Sequence, residues 1–172
     1  ELTENSFDRD IQIALFSAGG SISEKFAPIA KSKGVIVVDN SSFWRMNPEV
    51  PLVVPEVNPE DVKKHNGIIA NPNCSTIQAV LPLKTLHDKY KIKRIVYSTY
   101  QAVSGSGVNG VKDLENGIEG KENDFYAKQI AYNCLPHIDV FTENGYTKEE
   151  IKMIEETKKI LGDNNLKITA TT

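Results

Sequence analysis

The chain has 172 residues and a formal net charge of −3, a length that suits one domain or parts of two. With 40% hydrophobic and 25% charged residues, it has the composition of an ordinary globular protein. No run of like charges forms a basic stripe, so we exclude nucleic acid as a partner. No apolar run reaches the roughly 18 residues needed to cross a bilayer, and the acidic start does not resemble a signal peptide. We expect a cytoplasmic protein without a membrane span.

The chain contains two cysteines, Cys74 and Cys134, sixty positions apart. Two are too few for a disulfide framework, and they lack the paired spacing of metal or redox sites, so no metal site is predicted. The chain begins at Glu1 rather than Met and ends in the strand-like pattern LKITATT. We therefore expect a fragment of a longer protein.

In the first third of the chain, strand patterns alternate with helix patterns. Residues 10–16 (DIQIALF) predict a buried strand, and a turn at SAGG follows it. Ser21 and Glu24 have the spacing of a capping box at the start of a helix that ends at Gly34. Residues 35–39 predict a second strand, and this alternation indicates parallel βαβ units.

The next elements lead to Cys74. Asn58 followed by Pro59 predicts the N-terminus of a short helix that ends near His65. Residues 67–71 (GIIAN) predict another strand. A helix is predicted to begin at Cys74 and to end near Tyr90, because apolar residues recur at helical spacing after the cysteine.

The remaining elements are a long strand, two helices and a final strand. Residues 91–103 predict the long strand, and LKITATT the final one. Thr147 and Glu150 form a capping box at the start of the last helix, which reaches Gly162. The other helix covers residues 107–118 and has an apolar side formed by Val108, Val111, Leu114 and Ile118.

Cys74 has the position of a nucleophile. A helix N-terminus favours negative charge, so a thiol there forms the reactive thiolate more readily. The first N–H groups of the helix, with the side-chain amide of Asn73 as a further donor, would stabilise the oxyanion that forms when the thiolate attacks a carbonyl carbon. Cysteine is also among the most buried residue types, so a packing role for Cys74 stays open at this point.

Several stretches together resemble the aspartate-semialdehyde dehydrogenase family. They are NPNCST, SAGGSIS, VVDNSSFWRM, PLVVPEVNPED, STYQAVSGSG and PHIDVF followed by NGYTKEE. The resemblance covers nearly the whole chain. It implies NADPH-dependent reductive dephosphorylation of L-4-aspartyl phosphate to L-aspartate 4-semialdehyde, in the synthesis of lysine, threonine and methionine. It also implies that a cysteine is acylated as phosphate leaves, and that hydride then reduces the thioester.

The resemblance assigns roles to individual residues. Cys74 is the catalytic cysteine with Asn73 beside it, Gln101 orients the substrate, and Arg45 binds its phosphate. The alternatives are a solvated surface role for Arg45, a polar strand end for Gln101 and a plain turn for SAGG. GSGVNG matches GxGxxG but follows the nucleophile, so we reject it as the dinucleotide fingerprint. The implied contacts with NADP are Ser17, Ala18, Gly19, Ser104 and Gly105.

None of the three histidines is predicted to be the base of Cys74. His87 is thirteen residues along the same helix, roughly 20 Å away. His65 and His137 are interpreted as surface or structural residues, and Cys134 as inert packing. The resemblance implies that the acid-base histidine, a carboxylate-binding arginine and a phosphate-binding lysine lie beyond Thr172, and that the nucleotide loop precedes Glu1.

The predicted fold class is α/β. Residues 1–73 are expected to form the latter part of a Rossmann-like NADP-binding domain, and residues 74–172 the start of an α+β catalytic and dimerisation domain. A homodimer acting on a small-molecule substrate is implied by the resemblance. Two alternatives remain: a related acyl-thioester reductase of the malonyl-coenzyme A reductase type, and a folded piece without activity of its own.

Overall fold

The computed structural model describes residues 1–172, which form two compact units. The first unit contains Glu1–Ile95 and Lys152–Lys167, and the second contains Val96–Ile151 and Ile168–Thr172. None of the helices combines the length and apolar composition needed to cross a membrane.

A parallel three-stranded sheet forms the centre of the first unit. Its strands are β1 (Ile13–Phe16), β2 (Ile36–Asp39) and β3 (Ile68–Ala70), in the order β1-β2-β3. The register pairs Phe16 with Asp39, and Asp39 with Ala70. All three strands therefore end together at one edge of the sheet, and the predicted parallel arrangement is confirmed.

Helix α1 (Gly20–Ser32) connects β1 to β2, and α2 (Cys74–Tyr90) follows β3. Two short 3₁₀ helices, Glu4–Phe7 and Pro59–Lys64, complete the regular structure before α2. The buried core of this unit consists mainly of small and branched apolar side chains, which pack closely between a parallel sheet and its helices. It includes Phe26, Ala27, Ala30, Val35, Val37, Leu52, Val54, Ile68, Ala70, Val80 and Ile160.

The first strand is shorter than predicted and is not buried on both faces. Ile13 and Leu15 are 60% and 80% exposed, whereas Ala14 and Phe16 pack against the core. The prediction of a buried strand was wrong, because β1 is the edge strand of this sheet and its side chains alternate between the core and solvent.

Helix α1 begins two residues earlier than the predicted capping box requires. Gly19 is its N-cap residue, with φ of 93° and no side-chain cap, so Ser21 and Glu24 do not form the box. The positive φ lets the chain turn directly from β1 into the helix, a conformation that favours glycine. Gly34, with φ of 81°, follows the end of α1, as predicted.

Asn58 precedes its short helix but does not cap it with its side chain. Its carboxamide oxygen accepts the N–H of Val54 at 2.8 Å, and its amide donates to Leu52 and Asp61. Asn58 therefore stabilises the loop that precedes the helix through hydrogen bonds.

A second sheet contains β4 (Arg94–Ser98) and β5 (Lys167–Thr171). The predicted strand over residues 91–103 was too long. Lys91 has a left-handed conformation, with φ of 56°, at the end of α2, and β4 begins three residues later. After Thr99, whose N–H donates to Thr171, the chain leaves regular strand structure.

Three helical segments follow β4: a 3₁₀ turn (Val103–Ser106), α3 (Val108–Ile118) and α4 (Lys148–Leu161). The predicted capping box before α4 is confirmed, since Thr147 N–H donates to Glu150 at 2.7 Å and Glu150 N–H donates to Thr147 Oγ1 at 3.2 Å. The predicted apolar side of α3 is not its buried side. Val108 and Ile118 are exposed, and the buried residues are Gly110, Asp113 and Gly117.

Leu52 and Leu15 form a matched pair that tests the assignment of the core. Leu52 is 2% exposed within the core, and Leu15 is 80% exposed. Because Leu52→Ala creates a cavity, it should lower the free energy of unfolding by about 2–5 kcal/mol. Leu15→Ala should change it by no more than about 0.5 kcal/mol. Urea denaturation of both variants measures the difference, and equal losses would contradict this core.

Candidate active site

The carboxyl edge of the parallel sheet gathers the predicted site residues of the first unit. Ser17 follows β1, Asn40 follows β2 and Asn71 follows β3, and the three strands end in register. Binding sites in open α/β sheets form at this edge, where the chain segments leave the strands. Cys74 lies three residues beyond Asn71 and is the first residue of α2, as predicted.

Arg45 is buried at this edge and joins the ends of two strands. Its Nε donates to the carbonyl oxygen of Asn71 at 2.9 Å, and its Nη2 donates to the carbonyl oxygen of Asn40 at 2.9 Å. The two asparagine side chains also bond to each other at 2.7 Å. Since Arg45 is only 7% exposed, a solvated surface role is excluded.

Glu156, on α4, connects Arg45 to the residue before the cysteine. One carboxylate oxygen accepts Arg45 Nη1 at 3.2 Å, and the other accepts the backbone N–H of Asn73 at 2.7 Å. Burial raises the pKa of Glu156, and the positive charge of Arg45 only partly opposes that effect. Through these two hydrogen bonds, the carboxylate brings together Arg45 and Asn73, which are both predicted site residues.

Glu156 was not predicted as a site residue, although the sequence contains a signal for it. Met153, Thr157 and Ile160 lie on the buried side of α4, and Glu156 shares that helical spacing. A glutamate on a buried side needs a partner, which indicates a cation or backbone donors opposite it.

Lys159, one turn beyond Glu156, was also missed. Its ammonium group donates to three backbone carbonyls, those of Arg45, Asn47 and Val50, at 2.7–2.8 Å. Burial lowers the pKa of Lys159, and the nearby Glu156 opposes that effect. The lysine fixes the loop that carries Arg45.

Asn73 caps the helix that begins with Cys74. Its carboxamide oxygen accepts the N–H groups of Ser75 at 2.9 Å and Thr76 at 3.1 Å. These two N–H groups therefore bond to the cap and are not free for an oxyanion, whereas the donor role of the Asn73 amide stays a prediction. Such a cap stabilises a helix by about 0.5–2 kcal/mol. Cys74 is exposed, which excludes the buried packing role.

Ser17, Ala18 and Gly19 form an exposed connection between β1 and α1 at the same edge. The N-terminus of α1 has no side-chain cap, and no acidic residue lies in its first turn. Backbone N–H groups at such an end attract a phosphate group. The segment therefore suits the cofactor contact that the sequence predicts.

Gln101 lies in the second unit and has both ends of its amide bonded. Thr99 Oγ1 donates to Gln101 Oε1 at 2.9 Å, and Gln101 Nε2 donates to Glu149 at 3.5 Å, a longer and weaker contact. The contact with the Glu149 carboxylate, which accepts, places the nitrogen side of the amide toward Glu149. Gln101 is thus oriented by neighbours that the sequence analysis did not identify.

Ser104 and Gly105 lie in the 3₁₀ turn of the second unit, and both are exposed. No atom lies within 4 Å of the position that a Cβ on Gly105 would occupy. The turn therefore offers open backbone, which fits close contact with a planar ring such as nicotinamide.

The histidines have other neighbours than Cys74. His87 Nε2 lies 3.9 Å from Asp163, and His65 Nδ1 accepts the N–H of Gly67 at 3.1 Å. His137 stacks on Phe141. Cys134 is exposed, so its interpretation as packing was wrong. No group of three or more histidine, cysteine, aspartate or glutamate side chains is arranged to hold a metal ion.

Comparison with known proteins gives two family matches and a set of relatives. Residues 1–65 match the family model "Semialdehyde dehydrogenase, NAD binding domain", and residues 83–172 match "Semialdehyde dehydrogenase, dimerisation domain". The aspartate-semialdehyde dehydrogenase of Aquifex aeolicus is 62% identical over 98% of this chain and 52% of that protein. The chain spans about half the length of the curated relatives it matches.

Solved structures show the same relationship. Aspartate-semialdehyde dehydrogenase II of Vibrio cholerae, complexed with ASA, is 49% identical with a TM-score of 0.89, over 93% of this chain and 50% of that one. The Candida albicans enzyme, solved with NADP, is 28% identical with a TM-score of 0.69, over 93% and 45% of the two chains. The α/β fold class and the family resemblance are confirmed, and the chain belongs to the semialdehyde dehydrogenase family.

Proposed function

We propose that this chain carries the nucleophile of an NADPH-dependent aspartate-semialdehyde dehydrogenase. The reaction is the reductive dephosphorylation of L-4-aspartyl phosphate to L-aspartate 4-semialdehyde, in lysine, threonine, methionine and diaminopimelate biosynthesis. The observation that carries the proposal is the placement of exposed Cys74 at the start of α2, directly after Asn73, whose N–H is bonded to the carboxylate that also holds Arg45.

The chemistry of Cys74 follows from its position. Its thiolate attacks the acyl carbon of the substrate, a carbon–sulfur bond forms, and the carbon–oxygen bond to phosphate breaks. The acyl phosphate has a good leaving group, so no metal ion is needed, and covalent catalysis divides one difficult step into two easier ones. NADPH supplies the hydride that reduces the resulting thioester, and the thiolate is released.

Arg45 is the proposed phosphate ligand. A guanidinium group has five N–H donors, and three of them bond to Asn40, Asn71 and Glu156. The remaining two, one on Nη1 and one on Nη2, are the donors that we assign to phosphate oxygens. Because the other three bonds are made within the protein, the plane of the guanidinium is fixed before the substrate binds.

The other proposed roles depend on the orientation of polar groups. Gln101 orients the substrate through an amide that Thr99 and Glu149 align. Ser17, Ala18, Gly19, Ser104 and Gly105 contact NADP. We assign residues 1–73 to the cofactor-binding domain and residues 74–172 to the catalytic and dimerisation domain of a cytoplasmic homodimer.

The full-length gene product that contains these residues provides the direct test. With aspartate semialdehyde, inorganic phosphate and NADP as substrates, we expect NADP to be reduced only when phosphate is present. The absorbance of the reduced nicotinamide measures the rate. Cys74→Ser should lower kcat by about a thousandfold or more, because the thiolate is lost. Cys134→Ser is the matched control and should keep full activity.

The same assay separates the proposal from the malonyl-coenzyme A reductase type. A coenzyme A thioester needs no phosphate site, so that enzyme would reduce NADP with its aldehyde and coenzyme A in the absence of phosphate. Activity that depends on coenzyme A but not on phosphate would overturn the proposed function.

The two cysteines allow a test of helix-start activation that needs no substrate. Both are exposed, but only Cys74 begins a helix. Near neutral pH, iodoacetamide should alkylate Cys74 about two to five times faster than Cys134, because the helix N-terminus favours the thiolate. Mass spectrometry of peptides from a time course measures both rates. After denaturation, the two cysteines should react at equal rates, which is the control. Equal alkylation rates in the folded protein would contradict activation of Cys74 by the helix N-terminus.

The partner of Arg45 gives a prediction about pH. The pKa of Glu156 is raised above its ordinary value of 4.5 by burial, so the folded chain binds this proton more tightly than the unfolded chain. The stability that the raised pKa contributes is therefore present at low pH and is lost as the pH rises through the folded-state pKa. Glu156→Gln mimics the protonated acid and does not titrate at this position.

From about pH 4 to pH 8, the free energy of unfolding of Glu156→Gln should rise relative to that of the parent chain. Urea denaturation at several pH values measures the difference. Glu155→Gln, which removes the adjacent glutamate with its 44% exposed side chain, is the control. If the difference in the free energy of unfolding between Glu156→Gln and the parent stayed constant or fell as the pH rose, the predicted direction would be wrong.

A further inference from the structure

Asp113 is a buried aspartate of α3 that holds the loop after the helix. It is 2% exposed, and its carboxylate accepts three backbone N–H groups, from Asp124 at 2.8 Å, Phe125 at 3.0 Å and Tyr126 at 2.8 Å. These bonds, that of Tyr126 foremost, hold the pKa of Asp113 below its ordinary value. Three donors on one carboxylate fix the backbone of residues 124–126 against α3.

Tyr126 extends this anchor to the 3₁₀ turn. Its hydroxyl donates to Ser106 Oγ at 2.9 Å, and Ser106 is the last residue of the turn. The turn also contains Ser104 and Gly105, the proposed contacts with the cofactor. A chain of bonds therefore runs from a buried carboxylate to an exposed functional segment.

Gly110 brings α3 against the same turn. A Cβ at this position would lie 2.6 Å from the carbonyl oxygen of Val103, and 2.9 Å from both Ser106 Cβ and the hydroxyl of Tyr126. No real Cβ tolerates such distances. The glycine therefore allows the helix, the turn and the tyrosine to meet at one point.

The turn is short, and three of its four residues are exposed. It is four residues long, and its flanking backbone bonds run from the N–H of Gly105 to Ala102 at 3.2 Å and from the N–H of Gly107 to Ser104 at 3.0 Å. Short 3₁₀ segments have poorer hydrogen-bond geometry than α-helices, and exposed ones open readily. A side-chain bond from a fixed neighbour therefore changes how much of the time the turn is formed.

We propose that Tyr126, held in place by Asp113, is a positioning residue that keeps the Val103–Ser106 turn in the conformation that binds the nicotinamide cofactor. The proposal rests on the proposed function, because it assigns Ser104 and Gly105 to cofactor contact. Tyr126 itself does not touch the reacting atoms in this role. Loss of its hydroxyl should therefore weaken cofactor binding and leave the chemistry at Cys74 intact.

Tyr126→Phe in the full-length gene product tests the proposal, since it removes one oxygen and keeps the ring. The KM for NADP should rise by about two- to tenfold, the expected effect of one lost hydrogen bond. The KM for aspartate semialdehyde, kcat and Tm should stay near the parent values. Tyr132→Phe is the matched control, because Tyr132 belongs to the same unit and is 86% exposed.

Amide hydrogen exchange gives a readout that a general loss of stability would not reproduce. The N–H groups of Gly105 and Gly107 should exchange faster in Tyr126→Phe than in the parent and in Tyr132→Phe. Amides of the α3 interior should exchange at the parent rate in all three proteins. Faster exchange across the whole second unit would assign Tyr126 a merely structural role and would overturn the proposal.

The outcomes distinguish failure of the proposed function from failure of the role proposed for Tyr126. An inactive parent would contradict the proposed function. An active parent whose Tyr126→Phe variant keeps the parental KM for NADP would leave the proposed function intact and overturn the positioning role. A rise in the KM for NADP alone, together with faster exchange at Gly105 and Gly107, would support the role of Tyr126.

Discussion

The buried carboxylate of Glu156 is the interaction on which the candidate site of the first unit depends. It binds the N–H of Asn73 and the guanidinium of Arg45, and Arg45 in turn binds the chain after β2 and β3. Removal of this one group would leave a buried arginine without its counter-charge and a helix start without its support. The position of Cys74 follows directly, because Asn73 is its neighbour in the chain.

Burial of Glu156 opposes the charge attraction within the ion pair. Desolvation raises the pKa of Glu156 even though Arg45 faces it, so the cost of burying the charge exceeds the gain from pairing it. What the pair provides is geometry: each partner has few alternative positions once the other bonds are made. This arrangement suits the proposed binding of an anionic substrate, since preorganised donors need not reorient when charge arrives.

The sequence revealed those features that have local signals. The capping box at Thr147 and Glu150, the helix that begins at Cys74 and the parallel strands all follow from residues close together in the chain. The bonds of Glu156 join residues 83 and 111 positions apart, and no local pattern indicates such a pairing. The prediction that the apolar side of α3 is buried failed for a related reason. Burial on this helix depends on how closely Gly110 and Gly117 allow other chain segments to approach.

Carboxylates anchor the exposed segments to which we assign function in both units. Glu156 accepts the backbone N–H of Asn73, next to Cys74. Asp113 accepts three N–H groups of residues 124–126, and the hydroxyl of Tyr126 bonds to the turn that contains Ser104 and Gly105. A segment that binds substrate or cofactor must stay open, so apolar packing cannot cover it on both sides. A buried acid behind the segment solves this conflict, because it fixes the backbone from one side only. Substitution of either acid should therefore affect the placement of a binding segment before it affects the core.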